Sequence, residues 1–204
     1  MYRESKNTSR ALILFSLATA LSALPLTSHA MDLYVGAGLG EARHEATGGD
    51  IAGPGFIGTV DGKENTWKAF LGMELWDKYV GAEFGYVDLG TAVANGTIAG
   101  ASVSARSQAE AYTAALVGQL PIGNFGILIK LGISGVKASL TSRGTGAIAS
   151  GHSADIKIFG GGGFQYYVSK KSILRFEADR YNMGSIGSPY INTLTVDYIY
   201  RFGK

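Results

Sequence analysis

The chain contains no cysteine, only four prolines and, after residue 30, no apolar run as long as a membrane-spanning helix. The lack of cysteine excludes disulfide cross-links, thiolate chemistry and a lipid-anchored amino-terminal cysteine. A spanning helix needs about 18 consecutive apolar residues, so a membrane-embedded part after residue 30 would have to consist of β-strands. Glycine is abundant, at 30 of 204 residues, and 11% of residues are aromatic. This composition is typical of an all-β chain with tight turns and aromatic anchors.

The first thirty residues have the parts of a secretion signal. Basic residues precede an apolar run at 11–26, and Ala30 ends the small-x-small pattern of a signal peptidase site. We therefore expect a cleaved signal peptide at 1–30 and one domain at 31–204. Removing three of the 18 basic residues and one of the 16 acidic residues leaves the mature chain neutral. This neutrality gives no indication of a nucleic-acid partner.

The mature chain alternates between apolar and polar residues in eight segments of roughly ten residues, the pattern of a small membrane barrel. In the first segment, for example, Leu33, Val35, Ala37 and Leu39 share one face. The alternation predicts an all-β fold, an eight-stranded antiparallel up-and-down transmembrane β-barrel. The predicted strands lie near residues 33–39, 67–75, 80–86, 109–120, 125–133, 156–168, 174–179 and 193–202.

A water-soluble barrel or sandwich would also alternate, with its charged face outside. The connections favour the membrane interpretation, because links after even-numbered strands are short and links after odd-numbered strands are long, at 44–64, 89–107, 138–153 and 183–191. This asymmetry places both termini on the short-turn, periplasmic side. Aromatic residues at strand ends are predicted to form interfacial girdles. They are Tyr34, Trp76, Tyr79, Phe125, Tyr166 and Phe202 at the short-turn end, and Trp67, Tyr86, Tyr112 and Tyr181 at the other.

Three stretches resemble the OmpA-like eight-stranded outer-membrane barrels. They are Tyr-Val-Gly-Ala-Gly-Leu-Gly at 34–40, Tyr-Val-Gly-Ala-Glu-Phe-Gly-Tyr-Val-Asp-Leu-Gly at 79–90, and Val-Asp-Tyr-Ile-Tyr-Arg-Phe at 196–202. The resemblance implies that the chain is a Gram-negative outer-membrane protein. It also implies that Tyr198, Tyr200 and Phe202 act as the terminal aromatic signal read by the barrel-assembly machinery. We expect the barrel domain alone, without the peptidoglycan-binding domain that larger family members carry.

Charged residues on the inward face are predicted to fill the lumen, because an eight-stranded barrel is just wide enough for its own side chains. The resembling family places an inward glutamate on strand three and an inward arginine on strand seven in a salt-bridge network, and Glu83 and Arg175 match those positions. Their role is either the packing of a polar core or a gate for small ions. The predicted lumen charge network comprises Lys68, Glu74, Glu83, Lys130, Lys157, Arg175, Glu177, Asp179, Asp197 and Arg201.

Catalysis has little support in the sequence, and we expect neither a cofactor nor a metal site. His44 and His152 are predicted to lie in outer loops, and His152, Ser153 and Asp155 form the one candidate set, without a recognisable motif. We expect a non-enzymatic barrel that supports envelope integrity, with surface contact or adhesion carried by its long outer loops. The alternatives are a narrow channel for small or hydrophobic solutes and a lipid A-modifying enzyme. The expected partners are outer-membrane lipids, lipopolysaccharide, periplasmic chaperones, the barrel-assembly machinery and an unidentified surface ligand.

Overall fold

The computed structural model describes residues 32–76, 78–144, 151–183 and 189–202, with the backbone alone for 144 and 151–154. The predicted signal peptide lies outside these residues. The described part contains nine strands and one short helix. They are β1 (Leu33–His44), α1 (Gly48–Ala52), β2 (Phe56–Asp61), β3 (Lys63–Trp76), β4 (Val80–Ile98), β5 (Ala101–Ile122), β6 (Phe125–Gly144), β7 (Gly151–Tyr167), β8 (Ser172–Asn182) and β9 (Tyr190–Arg201). Within the described chain, no helix is long and apolar enough to cross a membrane.

Eight of the strands form a closed antiparallel ring. Each strand from β3 to β8 pairs with the strand that follows it in the chain. β1 closes the ring by pairing with both β3 and β9. The ninth strand, β2, pairs with the far end of β4, from Phe56 opposite Ile98 to Asp61 opposite Val93. The predicted eight-stranded antiparallel barrel is therefore confirmed, with β2 as an addition. Closure leaves no unpaired edge within the ring, which a bilayer interior requires.

The two faces of the wall differ as the alternation predicts. Leu71, Ile129 and Leu131 are 63–69% exposed on the outward face. Three aromatic rings lie side by side at one end of the apolar band. The ring centroid of Tyr86 is 5.1 Å from that of Trp67 and 5.3 Å from that of Tyr112. We call these three residues the upper aromatic ring. The opposite end has the short turns and carries Phe125 against Tyr166, with ring centroids 5.1 Å apart, and Tyr200 against Phe202, 5.3 Å apart.

Two of the predicted girdle residues point inward instead, and that part of the prediction is wrong. Tyr34 and Tyr181 are only 3% and 2% exposed. The physical reason is their register: Tyr34 is in phase with the inward Gly36 and Gly38, and Tyr181 with the inward Asp179. The side chains of successive strand residues point to opposite faces, so both rings must enter the barrel.

Strands extend well beyond the upper aromatic ring where long loops were predicted. Most of 89–107 is the far part of the β4–β5 hairpin, whose turn at Ala99 and Gly100 has φ values of 50° and 80°. β5 and β6 remain paired from Ile122 opposite Phe125 to Val103 opposite Gly144. At about 3.4 Å per residue, the eleven residues of β5 between Tyr112 and Ala101 add roughly 35 Å of strand. We call β2 and the parts of β4–β7 beyond the upper aromatic ring the extended sheet.

The helix α1 covers the inner face of the extended sheet. Ile51 and Ala52 are fully buried against a layer of mainly small residues. Small side chains allow the helix to lie close to the sheet, and the backbone N–H of Thr47 donates to the carboxylate of Asp50 at 2.7 Å to begin the helical turn. The first connection is therefore a packed structure and not an open loop. The buried sheet residues beneath α1 are Ala92, Ala94, Val103, Ala105 and Leu140.

Candidate functional site

A cluster of buried charges occupies the middle of the barrel interior. Its three cations and four carboxylates come from five strands, and each side chain is less than a tenth exposed. Because β-strand side chains alternate, each member lies on the face opposite the lipid-exposed residues of its strand. The members, which we call the interior charge cluster, are Lys68, Glu83, Lys130, Arg175, Glu177, Asp179 and Asp197.

Glu177 lies between all three cations of the cluster. Its Oε1 is 2.5 Å from Nζ of Lys68 and 2.6 Å from Nζ of Lys130, and its Oε2 is 3.5 Å from Nη1 of Arg175. Glu83 provides the second bridge, with its Oε1 2.6 Å from Arg175 Nη1 and its Oε2 2.8 Å from Lys130 Nζ. The network links distant strands of the wall. Removing one of its buried charges would leave the partners of that charge uncompensated.

The remaining carboxylates surround Lys68. Its Nζ lies 3.0 Å from Oδ2 of Asp197 and 3.7 Å from Oδ2 of Asp179. Glycines make room for both acids: a Cβ at Gly38 would lie 1.9 Å from Asp197 Oδ1, and a Cβ at Gly161 would lie 2.0 Å from Asp179 Oδ1. Glycine is therefore required at positions 38 and 161, because a carboxylate lies where a Cβ would be.

Two aromatic residues that the sequence analysis did not place inside complete the cluster. The ring of Phe70 lies 5.5–5.8 Å from the charged groups of Lys68, Lys130 and Arg175, within cation–π range. The hydroxyl of Tyr34 donates to Oε1 of Glu83 at 3.0 Å.

Each of these rings lies over a cross-strand glycine, because Gly36 is opposite Phe70 and Gly72 is opposite Tyr34. A Cβ at Gly36 would lie 2.2 Å from Phe70 Cζ, and one at Gly72 would lie 2.1 Å from Tyr34 Cζ. Their phase with Lys68 and Gly36 was the signal in the sequence that could have identified both rings.

Three predicted network residues lie outside the interior charge cluster. Glu74 and Arg201 form their own pair near the short turns, with Oε1 2.5 Å from Nη2. Lys157 does not join the network: its Nζ is 2.8 Å from Oδ2 of Asp155, and the two side chains are 30% and 50% exposed. The reason is that β7 continues past the end of β8, whose pairing with β7 stops at Phe159 opposite Tyr181. Lys157 thus has the inward phase but lies beyond the closed part of the wall.

Packed layers fill the interior on both sides of the cluster. Towards the short turns, Nε2 of Gln165 donates to Oε1 of Gln119 and to the hydroxyl of Tyr167, both at 2.7 Å. Towards the other end lies an apolar layer in which the rings of Phe159 and Tyr181 stack at 5.0 Å. A cavity of about 20 Å³ beside Lys68 and Lys130 has room for about one water molecule.

The candidate catalytic residues are described only in part. His44, predicted in an outer loop, ends β1 and is 6% exposed, with its Nε2 2.9 Å from the carbonyl oxygen of Leu89. Asp155 pairs with Lys157, as above, and the side chains of His152 and Ser153 lie outside the described residues. Among the described residues, no group of three or more His, Cys, Asp or Glu side chains is arranged to hold a metal ion.

The predicted assembly-signal residues lie on the outward face of β9 and at the residue that follows it. Tyr198, Tyr200 and Phe202 are 52%, 38% and 61% exposed, and the hydroxyl of Tyr198 is 3.0 Å from that of Ser172 on the neighbouring strand. They are accessible from the lipid side near the short turns. Nothing in this arrangement requires them for packing of the interior.

A closed ring of eight antiparallel strands, with an apolar outer band, aromatic residues at both of its ends and a charged, filled interior, defines a small outer-membrane β-barrel. The family model described as "OmpA-like transmembrane domain" matches residues 28–204. The chain therefore belongs to the OmpA-like transmembrane domain family and is an outer-membrane protein of the Gram-negative type.

Solved structures share this fold at low sequence identity. The attachment invasion locus protein Ail of Yersinia pestis, in complex with the heparin analogue sucrose octasulfate, has a TM-score of 0.53 and 12% identity over 84% of this chain and 99% of that chain. Neisserial surface protein A has a TM-score of 0.52 and 11% identity over 83% and 97%. The amino-terminal β-barrel domain of Pseudomonas aeruginosa OprF has a TM-score of 0.49 and 10% identity over 82% and 97%. No curated protein sequence matches the chain.

Proposed function

We propose that the protein is a non-enzymatic outer-membrane barrel that supports envelope integrity and presents the extended sheet for surface contact. The observation that carries this proposal is that β4, β5 and β6 continue far beyond the upper aromatic ring as a paired sheet, with α1 packed on its inner face. A rigid scaffold that holds a surface away from the membrane is a common way to present a binding region. The filled interior supports a structural role for the barrel itself.

The outward face of the extended sheet has the chemistry of a contact surface. Arg106 lies opposite Thr141 and Ser104 lies opposite Arg143, so the two arginines are diagonal neighbours on β5 and β6. Neither arginine has an ion-pair partner among the described residues. An anionic polymer is the partner that this pair fits best, and the complex of Ail with a heparin analogue makes heparin a suitable probe.

The proposed orientation in the membrane rests on the difference between the two ends of the barrel, one with short turns and the other with the extended sheet. We place the extended sheet outside the cell and the short turns, with both termini, in the periplasm. Charged outward residues such as Arg43, Lys63 and Lys137 lie just beyond the aromatic band, where lipopolysaccharide carries its phosphates; each contacts a glutamate. Lipopolysaccharide, membrane lipids, periplasmic chaperones and the barrel-assembly machinery are the partners we propose.

A channel and an enzyme are both less well supported. Permeation through a channel would have to displace the interior charge cluster and the layers on either side of it. For an enzyme, His44 would be a candidate base, but its Nε2 already donates to the carbonyl oxygen of Leu89. We therefore retain the structural function as the better account of the geometry.

The test separates the barrel from the sheet it carries. Cells that lack the protein receive either the wild type or a variant in which residues 91–108 are replaced by a short turn. Both should restore resistance to detergent, but the wild type alone should restore adherence to heparin-coated surfaces, with uncoated surfaces as the control. The proposal fails if the shortened variant adheres as well as the wild type, or if neither form alters detergent resistance.

A further inference from the structure

A cavity of about 420 Å³ opens at the short-turn end of the barrel. Segments from four parts of the chain line it: the turn between β3 and β4, the turn between β5 and β6, the end of β7 with the segment that follows it, and the last residue of β9. Small-molecule sites in proteins commonly measure about 300–1,000 Å³. The cavity is thus large enough for a small ligand, in contrast to the filled interior above it.

The charged side chains that line this cavity, among the described residues, are all basic. Lys78, Lys170 and Arg201 contribute to its wall. Arg201 is fixed by Glu74, 2.5 Å away, whereas Lys78 and Lys170 have no ion-pair partner among the described residues. Two ammonium groups from different turns, neither paired with a carboxylate of the described residues, therefore line the same cavity, and this arrangement favours an anion.

Further donors accompany the lysines. The hydroxyl of Tyr167 accepts a hydrogen bond from Gln165 Nε2 at 2.7 Å, so its own proton is available to a ligand. The guanidinium of Arg201 lies 5.6 Å from the centre of the Tyr167 ring, and its Nε is buried without a hydrogen-bond partner in the described structure. Several hydrogen-bond donors around one anion are the arrangement in which charge-assisted hydrogen bonds are strongest.

The cavity also adjoins the membrane-facing surface. Tyr166 and Val168 line it, and they are 38% and 54% exposed in the outward phase of β7 and its continuation. A headgroup in the cavity would therefore have a route for its acyl chains along an apolar wall.

We propose that the short-turn cavity binds a phosphate-bearing anion, held by Lys78 and Lys170 with Tyr167 as an additional donor. The phosphate belongs either to a lipid headgroup or to a small soluble phosphate, because both present the same anionic oxygens to the cavity. This proposal goes beyond the proposed function and does not depend on which side of the membrane the cavity faces.

The test is a calorimetric titration of the protein purified in an uncharged detergent. The probes are inorganic phosphate and short-chain phosphatidylglycerol below its micellar concentration. We expect saturable binding that the double change Lys78→Gln and Lys170→Gln weakens at least about tenfold, which corresponds to about 1.4 kcal/mol. The matched control is Lys171→Gln, since Lys171 is next to Lys170 but does not line the cavity, and its affinity should stay within about twofold of the wild type.

The two probes identify the source of the phosphate. Binding of phosphatidylglycerol alone indicates a lipid headgroup, whereas comparable binding of both probes indicates that phosphate itself is sufficient. Absence of saturable binding by either probe to the wild type would overturn the proposal. Equal weakening by Lys171→Gln would also overturn it, since attraction to a basic surface would then explain the binding.

Discussion

Nη1 of Arg175 in β8 lies 2.6 Å from Oε1 of Glu83 in β4, and these strands are four apart in the ring of eight. The pair therefore joins opposite sides of the barrel wall. Glu83 also contacts Lys130, and Arg175 also contacts Glu177, so the pair is part of a wider network. Strand parity and the family resemblance predict that Glu83 and Arg175 both lie in the lumen, and the two side chains are in contact there.

The first prediction is that Glu83 and Arg175 are coupled in stability. Glu83→Ala and Arg175→Ala should each lower the free energy of unfolding by about 3–5 kcal/mol, because each change leaves a buried charge without its partner. The double variant should lose less than the sum of the two. Urea unfolding in lipid vesicles, followed by tryptophan fluorescence, measures all three losses.

Lys157→Ala is the matched control, since the Lys157–Asp155 pair is partly exposed and should contribute less than about 1 kcal/mol. Strictly additive losses for Glu83→Ala and Arg175→Ala would show that the two side chains do not interact.

The second prediction concerns permeation. The wild type should show little or no steady conductance in a planar bilayer, because the interior charge cluster and its adjoining layers fill the lumen, and the cavity beside Lys68 and Lys130 measures about 20 Å³. Replacing α1 by a flexible linker should not raise the conductance, since the helix packs above the filled section. A large steady conductance of the wild type would favour the channel.

The membrane-embedded wall was predictable from the sequence, because lipid outside and a polar lumen inside require opposite chemistry on alternate residues. The same parity predicts Glu177, Asp179 and Asp197 on the inward face, and all three side chains are buried. The inward positions of Tyr34 and Phe70 were not predicted, because an aromatic residue is compatible with either face of the wall. Only strand parity distinguishes the inward from the outward face at such a residue.

The extended sheet was not predictable from the same signal. Its inner face carries Ala92, Ala94 and Ala105, and alanine gives a weak contrast with the residues that alternate with it, such as Thr91, Val93 and Ser104. The contrast is weak because small residues were needed to let α1 approach the sheet. The composition of these segments therefore predicts open loops where the structure has paired strands.

The third prediction tests the proposed assembly signal. Phe202→Asp should reduce the folded barrel in the outer membrane while leaving export across the inner membrane intact. The matched control is Ile57→Asp: Ile57 is 77% exposed, but it lies on β2, beyond the aromatic band. Heat-dependent migration on a denaturing gel reports the folded fraction. Normal insertion of Phe202→Asp would remove the role assigned to that residue.

The fourth prediction tests orientation and uses the lack of cysteine in the chain. Ser104→Cys, on the outward face of the extended sheet, should react with a membrane-impermeant maleimide on intact cells. Lys170→Cys, in a short turn, should react only after the outer membrane is permeabilised. The reverse pattern would place the extended sheet in the periplasm.

The last prediction is a pH dependence that originates at His44. This residue lies five positions beyond Leu39, which pairs with Trp67 of the upper aromatic ring, so it is outside the membrane-spanning segment. Its Nε2 donates to the carbonyl oxygen of Leu89, and its Nδ1 is buried without a partner in the described structure. Burial lowers the pKa of His44, although the Leu89 hydrogen bond and the nearby Glu64 oppose that shift.

The folded protein therefore binds fewer protons at His44 than the unfolded chain, whose histidine pKa is about 6.5. The stability that results is fully present above that value and is lost as the pH falls below it, with a slope of at most about 1.4 kcal/mol per pH unit. Urea midpoints between pH 7.5 and pH 5 should fall more for the wild type than for His44→Gln, whereas His152→Gln should follow the wild type. Parallel curves for the wild type and His44→Gln would show that His44 does not cause the loss.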